Sequence, residues 1–132
     1  MSCLPMIDLT DTPINERTTR RINFKVLDED GVGIPAASID TITVTLFEER
    51  DEAFINSRDH VDIKNTNGGE LDRNGEDGLG GWTMDPEDNQ IVRTASKEEE
   101  YHIALFEWTY SAGNKDGKQP VRLKVLNLQH VS

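Results

Sequence analysis

The last third of the chain carries the pattern that most restricts its fold. Read with period two, Tyr101–Tyr110 (YHIALFEWTY) puts Ala104, Phe106, Trp108 and Tyr110 on one face and Tyr101, Ile103 and Leu105 on the other. A glycine-bearing turn, Ser111 to Lys118, follows, and then a second run from Val121 to Leu128. There Val121, Leu123 and Val125 alternate with Arg122 and Lys124. Two such runs around one turn predict a β-hairpin, with Pro120 at the start of its second strand, where a missing N–H is tolerated. Both faces of the first strand are partly apolar. That places it centrally in a sheet, or under another chain.

The same period recurs upstream. Ile22, Phe24 and Val26 alternate with Asn23 and Lys25, and Asp28-Glu29-Asp30-Gly31 supplies turn chemistry that Gly33 and Pro35 prolong. Thr41–Phe47 (TITVTLF) sets Ile42, Val44 and Leu46 against three threonines, a composition that suits a pleated surface. Residues 48–59 are charged around Ala53, Phe54 and Ile55, as in a loop whose centre touches the protein. Val61 and Ile63 mark a short strand. Asn65–Gly81 holds six glycines in 17 residues, which predicts a long loop or a hairpin with an irregular tip. Trp82-Thr83-Met84 begins another short strand, and Asp85-Pro86-Glu87-Asp88 has the form of a helix start one or two turns long. Lys97-Glu98-Glu99-Glu100 reads as a solvated lead-in. About seven strands, one helical turn and no internal repeat predict an all-β domain, an immunoglobulin-like antiparallel β-sandwich over residues 21–132.

Residues 1–20 (MSCLPMIDLTDTPINERTTR) have two prolines and little periodicity. They predict an extended N-terminal arm, either a free terminus or a strip draped on a neighbour. Its apolar residues Leu4, Met6, Ile7 and Leu9, with the basic cluster Arg17, Arg20 and Arg21 at its base, are the candidate partner-binding set. The charge balance narrows the partners. With 25 Asp and Glu against 14 Lys and Arg, the net charge is -11. A phosphate backbone or an anionic membrane repels such a surface, so the expected partners are proteins, with no nucleic acid and no membrane. No run approaches the ~20 apolar residues of a membrane span, and no basic-then-apolar segment predicts a signal peptide. Cys3, the single cysteine, cannot form an internal disulfide, which suits a reducing compartment or a particle assembled inside a cell.

Catalytic chemistry is hard to place. His60, His102 and His130 are scattered, without HxH or HxxxH spacing, and His60 and His102, each beside apolar strand residues, are expected to face solvent or a partner. No GxSxG, HExxH or GxxxxGK[ST] occurs. An EF-hand loop starting at Asp72 needs Gly at its sixth position and Glu at its twelfth, and finds Asp77 and Thr83. A looser calcium site between Asp28, Asp30, Asp72 and Asp77 stays open, although solvated turns account for those acids far more simply. Trp82 and Trp108 read as core between two sheets, or as platforms for sugar rings. The expected class is therefore a binding protein, not an enzyme, with no cofactor.

The hairpin Glu100–Tyr110 and Val121–Leu128 resembles the last hairpin of small immunoglobulin-like proteins encoded by tailed bacteriophages and prophages. Phe24–Gly31 with Ile42–Leu46 resembles their opening strand, Asp-Gly turn and second strand, and Asn65–Gly69 through Trp82 and Asp85–Asp88 fits their middle. The resemblance spans roughly residues 20–130. It implies a virion structural protein of the neck, tail, baseplate adaptor or capsid surface, assembled in the host cytoplasm. It also implies partners that are other virion proteins, and homo-oligomeric copies in a symmetric assembly. It transfers no catalytic residue and leaves the arm unassigned. The alternatives are a glycan-binding module, with or without calcium, and an acidic mimic of DNA.

Overall fold

A computed structural model describes residues 2–3, 5–72, 75–92, 98–111 and 113–127. Among them are ten strands in two sheets: β1 (Ser2–Cys3), β2 (Ile7–Asp8), β3 (Ile14–Asn15), β4 (Arg20–Lys25), β5 (Ile39–Glu48), β6 (Val61–Asp62), β7 (Gly69–Glu70), β8 (Leu79–Met84), β9 (Glu99–Tyr110) and β10 (Lys115–Leu126). The larger sheet runs β10-β9-β5-β6 antiparallel, and β1, β2 and β3 all add to the outer edge of β10. The smaller sheet is β4-β8-β7. The protein is the all-β sandwich that the alternation predicts. One feature departs from an antiparallel scheme: the three arm strands run parallel to β10.

The two sheets close on one apolar core. Phe106 of β9 stacks on Phe24 of β4 at 4.1 Å and meets the Trp82 ring of β8 edge-on at 6.0 Å. Ile42, Val44 and Leu46 of β5 and Val121, Leu123 and Val125 of β10 complete the inner face of the larger sheet. Burying a side chain of this size contributes roughly 1.5–3 kcal/mol, so these few positions carry much of the folding free energy. The loop after β5 folds back along its edge: Ile55 N–H donates to Leu46 O, and Leu46 N–H to Arg58 O, both at 2.9 Å. That loop, with the short β6, covers an edge that would otherwise be open to pairing with another chain.

Three expectations are corrected. Pro120 lies mid-strand, because β10 starts at Lys115 and the turn shrinks to residues 111–114. It is tolerated because it falls between two arm bridges, Cys3 on Lys118 and Ile7 on Val121, where no partner requires its N–H. β8 starts at Leu79 and not at Trp82, and of the loop and the irregular-tipped hairpin expected over Asn65–Gly81 it is the hairpin that forms, with Gly69–Glu70 paired to Gly81–Trp82. Gly80 is small because Phe24 lies on it; a Cβ there would stand 2.4 Å from the ring. Glu100 is buried inside β9 and is no solvated lead-in. The expected helical turn is a 3-10 turn, Pro86–Asn89, with the Asp85 N–H donating to Asp88 Oδ2 at 2.7 Å.

Candidate interaction surfaces

The arm is held by backbone pairing and by apolar contact. Ser2–Cys3 align with Gly117–Lys118, Ile7–Asp8 with Val121–Arg122, and Ile14–Asn15 with Val125–Leu126. The intervening Leu9 N–H donates to Arg122 O, and Glu16 N–H to Leu126 O, each at 2.9 Å. Ile14 is only 4% exposed and belongs to the core; Ile7 and Leu9 pack partly against it. Met6 is 49% exposed. The Thr10 side-chain hydrogen bond, then the Thr10 N–H that Asp8 accepts at 2.9 Å, and Arg122 nearby lower the Asp8 pKa.

The candidate partner-binding residues therefore divide. Ile7 and Leu9 face this chain's own core, Met6 faces solvent, and Leu4 lies outside the described residues. The arginines do not form one patch. Arg20 donates to the Thr12 backbone and hydroxyl, Arg21 pairs with Glu70 across the smaller sheet, and Arg17 is exposed at the hinge between β3 and β4.

The outer face of the larger sheet is part apolar and part charged. The register aligns Pro120, Leu105 and Thr45 in one row, and Arg122, Ile103 and Phe47 in the next, with Phe54 bridged to Phe47. Phe54 is 53% exposed. Ile103 is nearly covered although nothing from the other sheet lies over it. Long side chains do the covering. The Arg122 guanidinium lies 4.2 Å over the Tyr101 ring and donates to Glu49 at 2.9 Å. Lys124 pairs with Glu99 at 2.7 Å. These partners raise the pKa of Arg122 and of Lys124.

Two buried polar groupings escaped the sequence reading. His102 is fully buried, with Nε2 at 2.7 Å from Glu100 Oε1, and Nδ1 has no hydrogen-bond partner. The expectation that it faces solvent or a partner is wrong for a plain reason: its parity in β9 is that of Ala104 and Phe106, so it points inward. His60, by contrast, is exposed, its Nδ1 at 2.6 Å from Asp59. The second grouping ties the loop after β5 to the 3-10 turn. Arg58 Nε donates to Asp88 Oδ1 at 2.8 Å, Arg58 Nη2 to Asp85 at 3.1 Å, and Asn56 Nδ2 to Asp88 at 3.0 Å. The guanidinium sits 5.7 Å from the Trp82 ring centre.

Both indoles are core. Trp82 is 0% and Trp108 1% exposed, and their N–H groups donate to Asn67 O at 3.1 Å and Leu27 O at 3.2 Å. Neither offers a face to a sugar. Of the four aspartates weighed for calcium, Asp28 and Asp72 each use one carboxylate oxygen within the chain. Asp28 Oδ1 accepts the N–H groups of Asp30 and Val32, and Asp72 Oδ2 that of Ala36. Among the described residues no three His, Cys, Asp or Glu stand together to hold a metal ion. His130 lies outside the described residues. No described helix is long and apolar enough to cross a membrane. No family model, no curated protein and no solved structure matches the chain.

Proposed function

We propose that this chain is a structural component of a bacteriophage virion that binds neighbouring subunits of the neck, tail or capsid surface, in a particle assembled in the host cytoplasm. The observation that carries the reading is the outer face of the larger sheet. It spans four strands, it presents Pro120, Leu105, Phe47 and the half-exposed Phe54 in adjacent rows, and its Arg122 and Lys124 are already paired with Glu49 and Glu99. Such a face can be covered by another protein without stranding a lone charge, which is what an assembly contact requires. Glycan binding is the weaker alternative, since the two indoles that would stack on a sugar are buried.

The test is mass spectrometry of purified particles from the phage or induced prophage that encodes the chain. Finding it in stoichiometric amount is the expected result. Its absence from intact particles overturns the proposal.

A further inference from the structure

Charge is distributed unevenly along this chain. Up to Arg21 it carries Asp8, Asp11 and Glu16 against Arg17, Arg20 and Arg21, so the whole net charge of -11 falls on residues 22–132. β10 lies at the other extreme, with Lys115, Lys118, Arg122 and Lys124 against Asp116 alone. The segment that lies on β10, residues 2–15, carries Asp8 and Asp11 and no base, so an acidic strip runs along a strand whose bases outnumber its acids, with Asp8 in register with Arg122, and this complementarity lowers the electrostatic cost of a second acidic copy approaching there.

The arm is also separable. All its strand pairing is with β10, in three parallel pieces of two residues each. The same hydrogen bonds, and the same seats for Ile7, Leu9 and Ile14, would form if the arm came from another copy. What differs is the hinge, residues 16–19. Arg17 has φ 58, a left-handed conformation that costs a non-glycine residue free energy and that an extended hinge would release. Opposing this, Arg17 N–H donates to Asn89 O and Asn89 Nδ2 to Thr18 O, both at 2.8 Å, which ties the hinge to its own body. Bringing two copies together also costs translational freedom, so the balance depends on concentration.

We propose that the arm is exchanged between copies: at the local concentration of an assembly, residues 2–15 of one chain lie on β10 of a second copy, and reciprocally. The inference deepens the assembly reading above and rests on it for the setting, but not for its test.

Cys3 and Lys118 are Cα partners across the arm–β10 seam, and Cys3 is the chain's only cysteine. Lys118→Cys in the full chain therefore sets two cysteines at paired backbone positions, the arrangement that disulfide trapping requires. Equal amounts of unlabelled and ¹⁵N-labelled protein are mixed, oxidised over a range of concentrations and mapped as disulfide-linked peptides. Exchange gives mixed-label peptides, in which Cys3 of one isotope is joined to the introduced thiol of the other, and a covalent dimer on a non-reducing gel, both rising with concentration. Same-label peptides alone at every concentration overturn it. So does an equal dimer yield from the Cys3→Ser, Lys118→Cys control, which would be collision. Should Lys118→Cys fail to fold, light scattering on Arg17 variants decides. Arg17→Pro, which cannot adopt φ 58, raises the dimer fraction above wild type, and Arg17→Gly, which relaxes the closed hinge, lowers it; no difference between them overturns the proposal. A strictly monomeric chain would leave virion membership intact, and absence from virions would leave the exchange result intact.

Discussion

Asp88 shows how much one buried charge decides. Its carboxylate, fully out of solvent, accepts from Arg58, from Asn56 and from the Asp85 backbone N–H. Asp88→Ala leaves the Arg58 guanidinium among Trp82 and its neighbours with only the exposed Asp85 to answer it. The expected loss is about 3–5 kcal/mol, read as a lower midpoint in urea denaturation. Arg21→Ala, which breaks an exposed pair with Glu70, should cost about 0–1 kcal/mol in the same assay. The sequence made the Asp-Pro turn start legible, because that signal is local. Arg58 lies 30 residues from Asp88, so nothing in the run around either residue names the other. His102 was legible in principle. Period two already assigns it to the inward face, and a polar group there needs a buried partner, which Glu100 supplies from the same face two residues earlier.

At the level of elements, β5, β9 and β10 were readable because each is long, alternates strictly and buries one face. β8 was harder, since its first half is Leu-Gly-Gly, and only the Phe24 ring above Gly80 explains why a glycine stands in a core strand. The arm's pairing could not be read at all. It comes in two-residue pieces whose register depends on the exposed edge of β10. How the turn after β4 attaches to the β9–β10 hairpin yields a pH prediction. Glu29 in that turn accepts from Tyr110 Oη and from Lys115 Nζ, both at 2.5 Å. The Lys115 and Tyr110 hydrogen bonds bring the Glu29 pKa down from 4.5 to about 2, and Glu29 in turn pushes Tyr110 up from 10.0 to about 12. The lowered carboxylate stabilises the fold above its ordinary pKa, and this contribution fades as pH falls from 4.5 toward 2. The raised phenol works the other way, its contribution full below 10 and lost as pH climbs from 10 toward 12. Melting temperature against pH should therefore fall less steeply at the acid end for Glu29→Gln than for wild type. In the variant, Tyr110 should ionise at lower pH by ultraviolet titration. Superimposable curves would mean that the turn is not attached through Glu29.

For the whole molecule the dominant electrostatic fact is self-repulsion. A chain of this length folds to a radius of gyration of about 14 Å. At ~0.01 M salt the screening length is about 30 Å, so the acids of residues 22–132 repel one another across the entire domain; at ~0.15 M it is about 8 Å, and only near neighbours still interact. Surface pairs such as Lys124–Glu99, Arg122–Glu49 and Lys115–Glu29 weaken over the same range. Each is screened by solvent and contributes little, whereas the repulsion is summed over every pair of an excess of eleven negative charges. Repulsion should win, so melting temperature is expected to rise with added potassium chloride. The combined variant Glu52→Gln, Glu87→Gln, Glu98→Gln, at three exposed positions, separates this from a salt effect on hydrophobic burial. It should melt higher than wild type at low salt and converge with it at ~0.15 M. If melting temperature instead falls with salt, the local ion pairs outweigh the net charge. The outer face of the larger sheet would then owe its order to Arg122, Lys124 and their glutamates more than to the core beneath it.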